Sequence, residues 1–362
     1  MKMRKLVVIV LCLAMVAALF SGCGKTDSTA ASTATNTSGT TFEKQTWKFA
    51  CSAGETSTWV AAAKYFGQLI SDATGGAVTV EYYPSDQLTS GSQTDGIQAL
   101  MDGTTELSMH SNIIWSSFDD RFSVVSLPFL FDSTETADKV LDGEGGTALK
   151  TVLDTYGVHC LGIAENGFRH VTNNKHEIKT PADMKGLVIR VAGSSVLMEA
   201  YKDWGANYTK ANWSEVYTGL QTGTYDGQEN PVPTMDSASI QEVQKYCTYW
   251  TGAYDCLFFC MNKALYDSLT PELQKIVDDC GQKACVKQRE LNRAGDKEIL
   301  DRWTKDNGVV VHTTTADEMA QFKALSDPVY SFYAQMLVKD GQSQADVTSY
   351  LASFGVTDVK FS

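Results

Sequence analysis

The chain has 362 residues, and its 43 acidic side chains outnumber its 30 lysines and arginines, giving a formal net charge of −13. An acidic surface of this kind excludes nucleic acids and anionic lipid headgroups as natural partners, because both carry the same sign of charge. The length exceeds what one hydrophobic core usually holds and therefore predicts two domains.

The first 22 residues have the pattern of a secretory signal. Three basic residues precede an apolar run at 6–20, and Ser-Gly at 21–22 comes directly before Cys23. As a helix the run would cover about 22 Å, less than the ~30 Å bilayer interior, which favours a cleaved signal over a permanent anchor. Cys23 resembles the lipid-acceptor cysteine of bacterial lipoproteins; the alternative is an ordinary signal with a coincidental cysteine. Cleavage would lower the net charge to −16.

Residues 23–44 are expected to be a flexible tether. The stretch 24–41 is rich in Ser, Thr, Ala and Asn and contains no large apolar residue. A segment of this composition does not bury enough surface to fold. It would hold a lipid-anchored domain just above the membrane.

Strand-like and helix-like segments alternate along the rest of the chain. This alternation predicts an α/β fold with mainly parallel sheets covered by helices. The predicted strands are 47–52, 77–83, 106–109, 158–163, 187–192, 208–211 and 257–262, and the predicted helices are 58–74, 94–102, 136–141, 147–156, 214–222 and 271–306.

Motifs for catalysis or for metal binding are lacking in the sequence. It has no GxSxG, P-loop or HExxH pattern, and the GxGxxA match at 143–148 follows a helical pattern rather than a strand. Seven cysteines follow Cys23, an odd number without CxxC spacing, so we expect buried core thiols rather than a metal site. We predict a protein that is not an enzyme and uses no cofactor.

Arg190 is the most informative single residue. It lies in the apolar, strand-like stretch 187–191, where a guanidinium requires a carboxylate partner. Its planar fork fits a carboxylate in a bidentate manner. The carboxylate could belong to the protein or to a ligand, and the spacing alone does not decide between them.

Five segments resemble those of the solute-binding proteins of TRAP transporters, of the DctP type, and the resemblance extends over about 45–340. The matching segments are YYPSDQL at 82–88, SLPFLF at 126–131, NGFRHVTN at 166–173, TPADMKGLVIRV at 180–191 and EVYTGLQTGTYDGQENP at 215–231.

The resemblance implies a two-lobed periplasmic-binding-protein-like α/β fold with a ligand cleft between the domains and a long spanning helix. Domain I would comprise 45–165 with 255–295, and domain II would comprise 166–254 with 296–362. The implied function is extracytoplasmic capture of a small organic carboxylate, of the sugar-acid or dicarboxylate type. A monomeric chain would deliver it to membrane permease subunits.

The resemblance also assigns ligand-binding roles. Arg190 would grip the ligand carboxylate, Arg169 would lie beside it, Asn230 would clamp it from the other side, and Trp213 would form an apolar wall. From the residues alone, Asn230 is a turn residue before Pro231 and Trp213 packs in the core.

Ser52, Ser111 and Asn112 complete the candidate ligand residues. The sialic-acid-binding branch of the family has an asparagine at the position of Ser52, and a glutamate and an arginine at those of Ser111 and Ile114. These differences disfavour sialic acid as the ligand.

Two alternatives remain open at this level. Trp250 and Tyr254 could stack on a sugar-like ring, or they could only reduce the size of the pocket. A ligand-binding sensor, or a secreted hydrolase acting on a similar ligand, could share the fold and the site.

Overall fold

The computed structural model describes residues 33–35 and 41–361. Its strands are β1 Thr33–Thr35, β2 Thr41–Glu43, β3 Gln45–Cys51, β4 Val78–Tyr83, β5 Leu107–Ser111, β6 Val158–Phe168, β7 His170–Asn173, β8 Val188–Val191, β9 Asn207–Lys210, β10 Gly227–Asn230, β11 Tyr246–Tyr249, β12 Tyr254–Asn262 and β13 Val310–Thr313.

The α-helices of the described residues are α1 Thr58–Ala73, α2 Gln93–Met101, α3 Asn112–Trp115, α4 Thr134–Leu141, α5 Glu144–Thr155, α6 Pro181–Met184, α7 Ser195–Asp203, α8 Val216–Thr222, α9 Val232–Ser237, α10 Lys263–Ser268, α11 Pro271–Arg293, α12 Asp296–Arg302, α13 Ala316–Lys323, α14 Asp327–Lys339 and α15 Gln344–Ala352. Short 3₁₀ turns lie at Gln87–Thr89, Asp120–Ser126, Trp213–Glu215 and Ile240–Glu242, and a π turn lies at Trp303–Asn307.

Two sheets define two lobes. Lobe I is built on the sheet β4-β3-β5-β12-β6, and lobe II is built on the sheet β13-β11-β7-β10-β8-β9. The chain passes from one sheet to the other between β6 and β7, and it returns between β11 and β12. At this double crossing the Arg169 backbone N–H donates to the Ala253 carbonyl over 2.9 Å. The crossing segments therefore lie side by side, as at a hinge.

The prediction of mainly parallel sheets was only partly right, because both sheets are mixed, with five parallel and four antiparallel strand pairs. β3 runs parallel to β4 and β5, β8 runs parallel to β9 and β10, and β11 runs parallel to β13. β12 is antiparallel to β5 and β6, and β7 is antiparallel to β10 and β11. β6 leads the chain out of lobe I and β12 leads it back in beside β6, so these two neighbours run in opposite directions. β7 and β11, where the chain enters and leaves lobe II, are antiparallel for the same reason.

Helix α1 shows how the sequence builds lobe I, and it confirms the helix predicted at 58–74. The Ser57 side chain accepts a hydrogen bond from the Val60 backbone N–H over 3.3 Å and thereby caps the helix. The apolar face packs on the sheet, where Phe66 meets Phe259 edge-on at 5.1 Å. The same helix carries Trp59 at its first turn, next to the end of β3.

The long helix predicted at 271–306 is present with a short interruption. Helix α11 is capped by the Thr270 side chain, and its buried face packs against α1 and β6. Gly281 allows close approach, since a Cβ there would lie 2.5 Å from the Leu161 side chain. After a break at Ala294 and Gly295, α12 packs against α9, and Trp303 is buried in lobe II. The chain thus runs from one lobe to the other.

The C-terminal helices contact both lobes, although the sequence assigned 296–362 to domain II. Tyr330 donates to the Pro128 carbonyl over 2.9 Å, and Tyr350 donates to the Arg121 carbonyl over 2.8 Å. Helix α14 also packs against α7 of lobe II. These helices therefore fasten the two lobes to each other.

Part of the expected tether has regular structure. β1 and β2 pair antiparallel, with Ala34 opposite Phe42. The expectation of a flexible tether is therefore not met at these residues. Threonine-rich stretches favour extended strands, and pairing supplies the hydrogen bonds that the composition alone did not indicate. The signal and Cys23 lie outside the described residues. Among the described helices, none combines the length and apolarity needed to cross a bilayer.

The expectation that cysteines fill the core is confirmed in the described part of the chain. All seven cysteines there are buried and unbridged: Cys51, Cys160, Cys247, Cys256, Cys260, Cys280 and Cys285. No cluster of His, Cys, Asp or Glu within the described residues is arranged to hold a metal ion.

Candidate functional site

A pocket with an empty volume of about 360 Å³ lies between the lobes, beside the crossing strands. Six of the seven predicted ligand-binding residues line it, and they come from both lobes. These six are Ser52, Ser111, Arg169, Arg190, Trp213 and Asn230. The other lining residues are Ala53, Trp59, Gln93, Ile114, Asn166, Ala192, Thr234 and Asp255.

The two lobes touch directly across the mouth of the cleft. The Trp213 backbone N–H donates to Gln93 Oε1 over 3.1 Å, and the Ser214 hydroxyl donates to the Gly91 carbonyl over 3.1 Å. These contacts join the start of α2 in lobe I to the turn before α8 in lobe II. The structure therefore represents a closed arrangement of the lobes.

Arg190 is a buried cation without a carboxylate partner. It lies in β8, between β9 and β10, and is 1% exposed. Its Nε and Nη2 donate to the Ala211 carbonyl over 3.0 and 2.5 Å, and its guanidinium carbon lies 5.8 Å from the Trp213 ring centre. No ion pair within residues 41–361 involves it. Burial lowers the pKa of Arg190 to about 10, and the charge of Glu229 offsets this only in part.

Arg169 has the opposite environment, although it also lines the cleft. It lies between β6 and β7, and its guanidinium forms ion pairs with Glu229 and Asp255, both of which are fully buried. Nη2 also donates to the Glu229 carbonyl over 2.7 Å and to Oε1 over 2.9 Å. Burial disfavours its charge, but the two carboxylates outweigh burial and raise the pKa of Arg169.

Four of the five N–H groups of Arg169 are thus engaged by the protein itself. Burial raises the pKa of Glu229 and of Asp255, while Arg169 acts in the opposite direction on both. The arrangement ties β10 and β12 to the crossing between the lobes. Its chemistry is that of a structural ion-pair network with one donor left for a ligand.

Asp255 connects this network to lobe I. Its Oδ1 accepts from the Ser111 hydroxyl over 2.7 Å, and its Oδ2 accepts from Asn166 Nδ2 over 2.7 Å. Asn166 Oδ1 in turn accepts from the Thr234 hydroxyl over 2.6 Å. Asp255 therefore positions Ser111. Because the Ser111 hydroxyl already donates its hydrogen bond to Asp255, it is not free to donate one to a ligand.

Asn230 ends β10, directly before Pro231, and lines the cleft from lobe II. Its Nδ2 donates to Gln228 Oε1 over 2.8 Å, and Gln228 Nε2 donates to the Thr172 hydroxyl over 2.9 Å. This chain of amides holds the Asn230 side chain in one orientation at the pocket wall.

Two residues that line the cleft in lobe I each carry a buried polar atom without a partner among the described residues. Ser52 Oγ and Trp59 Nε1 are both buried, and neither forms a hydrogen bond with any described residue. Buried donors without partners are rare and costly, which makes these two atoms candidates for contact with a ligand.

Asn112 is placed outside the pocket. It is fully buried, and its Nδ2 donates to the Phe122 carbonyl and to Ser126 Oγ, each over 3.0 Å. Its Oδ1 accepts from the Cys256 backbone N–H over 2.9 Å. All of these bonds join α3 to the 3₁₀ turn at Asp120–Ser126 and to β12, so the side chain supports the fold beneath the cleft.

Trp250 and Tyr254 also lie away from the pocket. Trp250 packs edge-on against Trp204 at 5.1 Å and against Phe322 at 4.9 Å. The Tyr254 hydroxyl donates to Glu165 Oε2 over 2.8 Å. Both aromatic rings are core residues and offer no face for stacking on a sugar-like ring.

Several lining residues were missed by sequence reasoning. Asp255 had a usable signal, because it is the one carboxylate in the otherwise apolar stretch of β12, the pattern that singled out Arg190 in β8. Trp59 looked like a core residue on the face of α1. Gln93 and Thr234 carry no sequence signal that separates them from other polar residues.

Comparison with known proteins places this architecture in one family. The family model "Bacterial extracellular solute-binding protein, family 7" (DctP) matches residues 49–336. The chain is 36% identical over 303 residues to the 2,3-diketo-L-gulonate-binding periplasmic protein YiaO of Escherichia coli, covering 84% of this chain and 90% of that one. It is 31% identical over 281 residues to the C4-dicarboxylate-binding periplasmic protein DctP of Rhodobacter capsulatus, covering 76% and 82%.

A solved structure shares the fold closely. The TRAP periplasmic solute-binding protein of Ralstonia eutropha H16, with bound (S)-2-acetolactate, is similar at a TM-score of 0.78 and 30% identity, over 86% of this chain and 98% of that one. The chain therefore belongs to the DctP family of TRAP-transporter solute-binding proteins. The family consists of extracellular binding proteins that serve transport.

Proposed function

We propose that this chain captures a small organic carboxylate, of the sugar-acid or dicarboxylate type, in the cleft between its lobes and delivers it to a TRAP permease. The observation that carries the proposal is the state of Arg190, a fully buried guanidinium with no carboxylate partner in the described protein. Burying a charge without a partner is costly, and a bound carboxylate would remove that cost.

Closure of the lobes completes the site. The contacts of Gln93 with Trp213 and of Gly91 with Ser214 bring lobe I over the pocket that Arg190 lines from lobe II. Exclusion of water strengthens the attraction between the guanidinium and a carboxylate. A ligand that contacts both lobes favours the closed state, as in the hinge motion of periplasmic binding proteins.

The same residues support binding rather than catalysis. The lining residues include no histidine or cysteine. The Asp255 carboxylate accepts from the Ser111 hydroxyl, but it is also paired with Arg169, which makes it a weak base for activating that hydroxyl. The names of the matched proteins also describe binding, of 2,3-diketo-L-gulonate, of C4-dicarboxylates and of 2-acetolactate. A transport role is favoured over a sensor, because the matched family is one of extracellular solute-binding proteins and the solved relative is a TRAP periplasmic solute-binding protein.

A ligand acid and its methyl ester test the proposal. A thermal-shift panel of sugar acids, dicarboxylates, keto acids and amino acids identifies a binding acid, and calorimetry then compares this acid with its ester at one salt concentration. The ester keeps the shape but leaves Arg190 unpaired, so it should bind at least ~10-fold more weakly. Equal affinities, or a neutral sugar as the best ligand, would refute the proposed carboxylate site.

We further propose that the chain is exported, lipid-anchored at Cys23 on the extracytoplasmic face of the membrane, and active as a monomer. The N-terminal pattern supports this, since three basic residues and an apolar run precede Ser-Gly-Cys. Cys23→Ser should release the protein from the membrane fraction without changing ligand affinity. Fractionation with immunoblotting checks this, and a Cys12→Ser variant should remain membrane-bound. Retention of Cys23→Ser at normal yield would remove the lipoprotein assignment.

A further inference from the structure

We propose that the cleft selects a hydroxylated or oxo monocarboxylate and discriminates against dicarboxylates. In this arrangement the single carboxylate pairs with Arg190 in lobe II, and an uncharged oxygen of the ligand meets Trp59 and Ser52 in lobe I. The inference rests on the proposed function, namely that the cleft binds a carboxylate, and it specifies which class of carboxylate.

The charged side chains at the cleft decide how many carboxylates a ligand can bring. The basic residues among those that line it are Arg169 and Arg190. Asp255 and Glu229 are fully buried, and both pair with Arg169 rather than with Arg190. Only Arg190 remains without an adjacent carboxylate. The cleft therefore offers one cation for one ligand carboxylate.

A second ligand carboxylate would have no counter-charge. It would lie in a closed pocket that already holds the Asp255 carboxylate, and neutral donors do not compensate for a desolvated full charge. Arg169 has one N–H group free, so a second carboxylate could form a bidentate pair with it only by displacing Glu229 or Asp255, which would leave a resident carboxylate buried and unpaired. Either outcome penalises a dicarboxylate relative to a monocarboxylate of equal length.

The lobe I side of the pocket carries unpaired neutral hydrogen-bonding groups. Trp59 Nε1 can only donate a hydrogen bond, and Ser52 Oγ can donate and accept. Both residues are at least nine-tenths buried, both line the cleft, and both polar atoms lack a partner among the described residues. A hydroxyl or carbonyl oxygen satisfies such a donor without bringing a charge. A plain alkyl acid would leave both atoms unpaired.

The ends of the pocket belong to different lobes. Arg190 comes from β8 in lobe II, whereas Ser52 follows β3 and Trp59 lies in the first turn of α1 in lobe I. A ligand with a carboxylate at one end and neutral oxygens at the other therefore bridges the lobes and holds them closed. A monocarboxylate without such oxygens would engage lobe II alone.

Matched ligand pairs test the charge argument on the unmodified mature protein. Calorimetry compares D-galactonate with galactarate, and D-erythronate with meso-tartrate; each pair differs in a terminal hydroxymethyl group against a carboxylate. In at least one pair the monocarboxylate should bind more than ~10-fold tighter than its dicarboxylate. Equal or tighter binding of the dicarboxylate would overturn the inference.

The outcomes separate this inference from the proposed function. If galactarate or meso-tartrate binds best through Arg190, the function stands and the selectivity proposal is wrong. If none of the four probes binds but another acid binds with the acid-over-ester difference described above, the identity of that acid decides: a hydroxylated or oxo monocarboxylate supports the proposed class, and a dicarboxylate or an unsubstituted acid overturns it. If no acid shows that difference, the proposed function itself fails.

A tryptophan pair tests the lobe I contact. Trp59→Phe removes the indole N–H but keeps an aromatic ring, and it should weaken monocarboxylate binding roughly 2- to 12-fold, the effect of one neutral hydrogen bond. Trp115→Phe is the matched control, because Trp115 Nε1 is also buried and unpaired but lies outside the cleft. Its affinity should not change. Unchanged affinity in Trp59→Phe, or an equal loss in both variants, would rule out the Trp59 contact.

Discussion

Arg169 and Arg190 lie at the same cleft and are buried to nearly the same degree, yet the protein treats them in opposite ways. Arg169 at the hinge receives two carboxylates, and its pKa is raised. Arg190 in β8 of lobe II receives one backbone carbonyl, and burial lowers its pKa to about 10. The first arginine stabilises the fold, whereas the second keeps its charge available for a ligand.

The difference shows how a binding protein can separate structural charge from functional charge. A buried ion pair gains little over an apolar core, but removal of one partner is strongly destabilising. A buried cation without a partner lowers the stability of the empty protein, and the ligand restores that free energy on binding. The two arginines should therefore respond differently to the same substitution.

The largest expected effect is on stability. Arg169→Met leaves Glu229 and Asp255 buried without their cation, which should lower the free energy of unfolding by about 3–5 kcal/mol. Urea denaturation of the ligand-free protein measures this. Arg302→Met is the control, because the Arg302–Asp236 pair is half exposed and should contribute less than about 1 kcal/mol. Similar losses in the two variants would show that the hinge network has no special structural role.

The next effect is on binding. Arg190→Met should weaken ligand binding by about 2–5 kcal/mol, which is roughly 30- to several-thousand-fold, while the ligand-free protein stays at least as stable as the wild type. Arg190→Lys should not restore affinity, because an ammonium group does not reproduce the planar fork. Calorimetry and ligand-free urea denaturation check the two parts. Unfolding of Arg190→Met without ligand would make Arg190 a structural residue instead.

A smaller effect should appear with pH. Arg190 is charged below its pKa of about 10 and loses its proton as the pH rises through that value, so ligand affinity should be constant below it and fall above it. The loss should be roughly 10-fold for each further pH unit, since binding then requires uptake of one proton. Calorimetry from pH 8 to 11, with circular dichroism as the control for folding, tests this. If the affinity stayed constant up to pH 11 while the protein remained folded, a ligand-binding role for an Arg190 with a lowered pKa would be contradicted.

Much of the fold was predictable because local signals agreed with the global structure. Helix α1 has a strong apolar period and was predicted with nearly correct bounds. Helix α11 begins at the predicted residue, Pro271, but the predicted long helix over 271–306 is divided after Arg293. The strand directions were not predictable. The antiparallel pairs of β12 depend on how the chain crosses between lobes, which no local pattern encodes.

The candidate site divides in the same way. Arg190 was found because a charged residue in an apolar strand is a local anomaly. The neutralisation of Arg169 was not predictable, since its partners Glu229 and Asp255 lie 60 and 86 residues further along the chain. Asn112 was a candidate ligand residue, yet its amide is turned into the core and bonded there.

A crystal structure with a bound carboxylate from the ligand panel tests the distinction between the two arginines most directly. The account predicts that the ligand carboxylate oxygens lie about 2.7–3.2 Å from the Arg190 guanidinium nitrogens, while Arg169 keeps both Glu229 and Asp255. A ligand carboxylate that displaces Glu229 or Asp255 from Arg169, or that leaves Arg190 bonded only to Ala211, would contradict it.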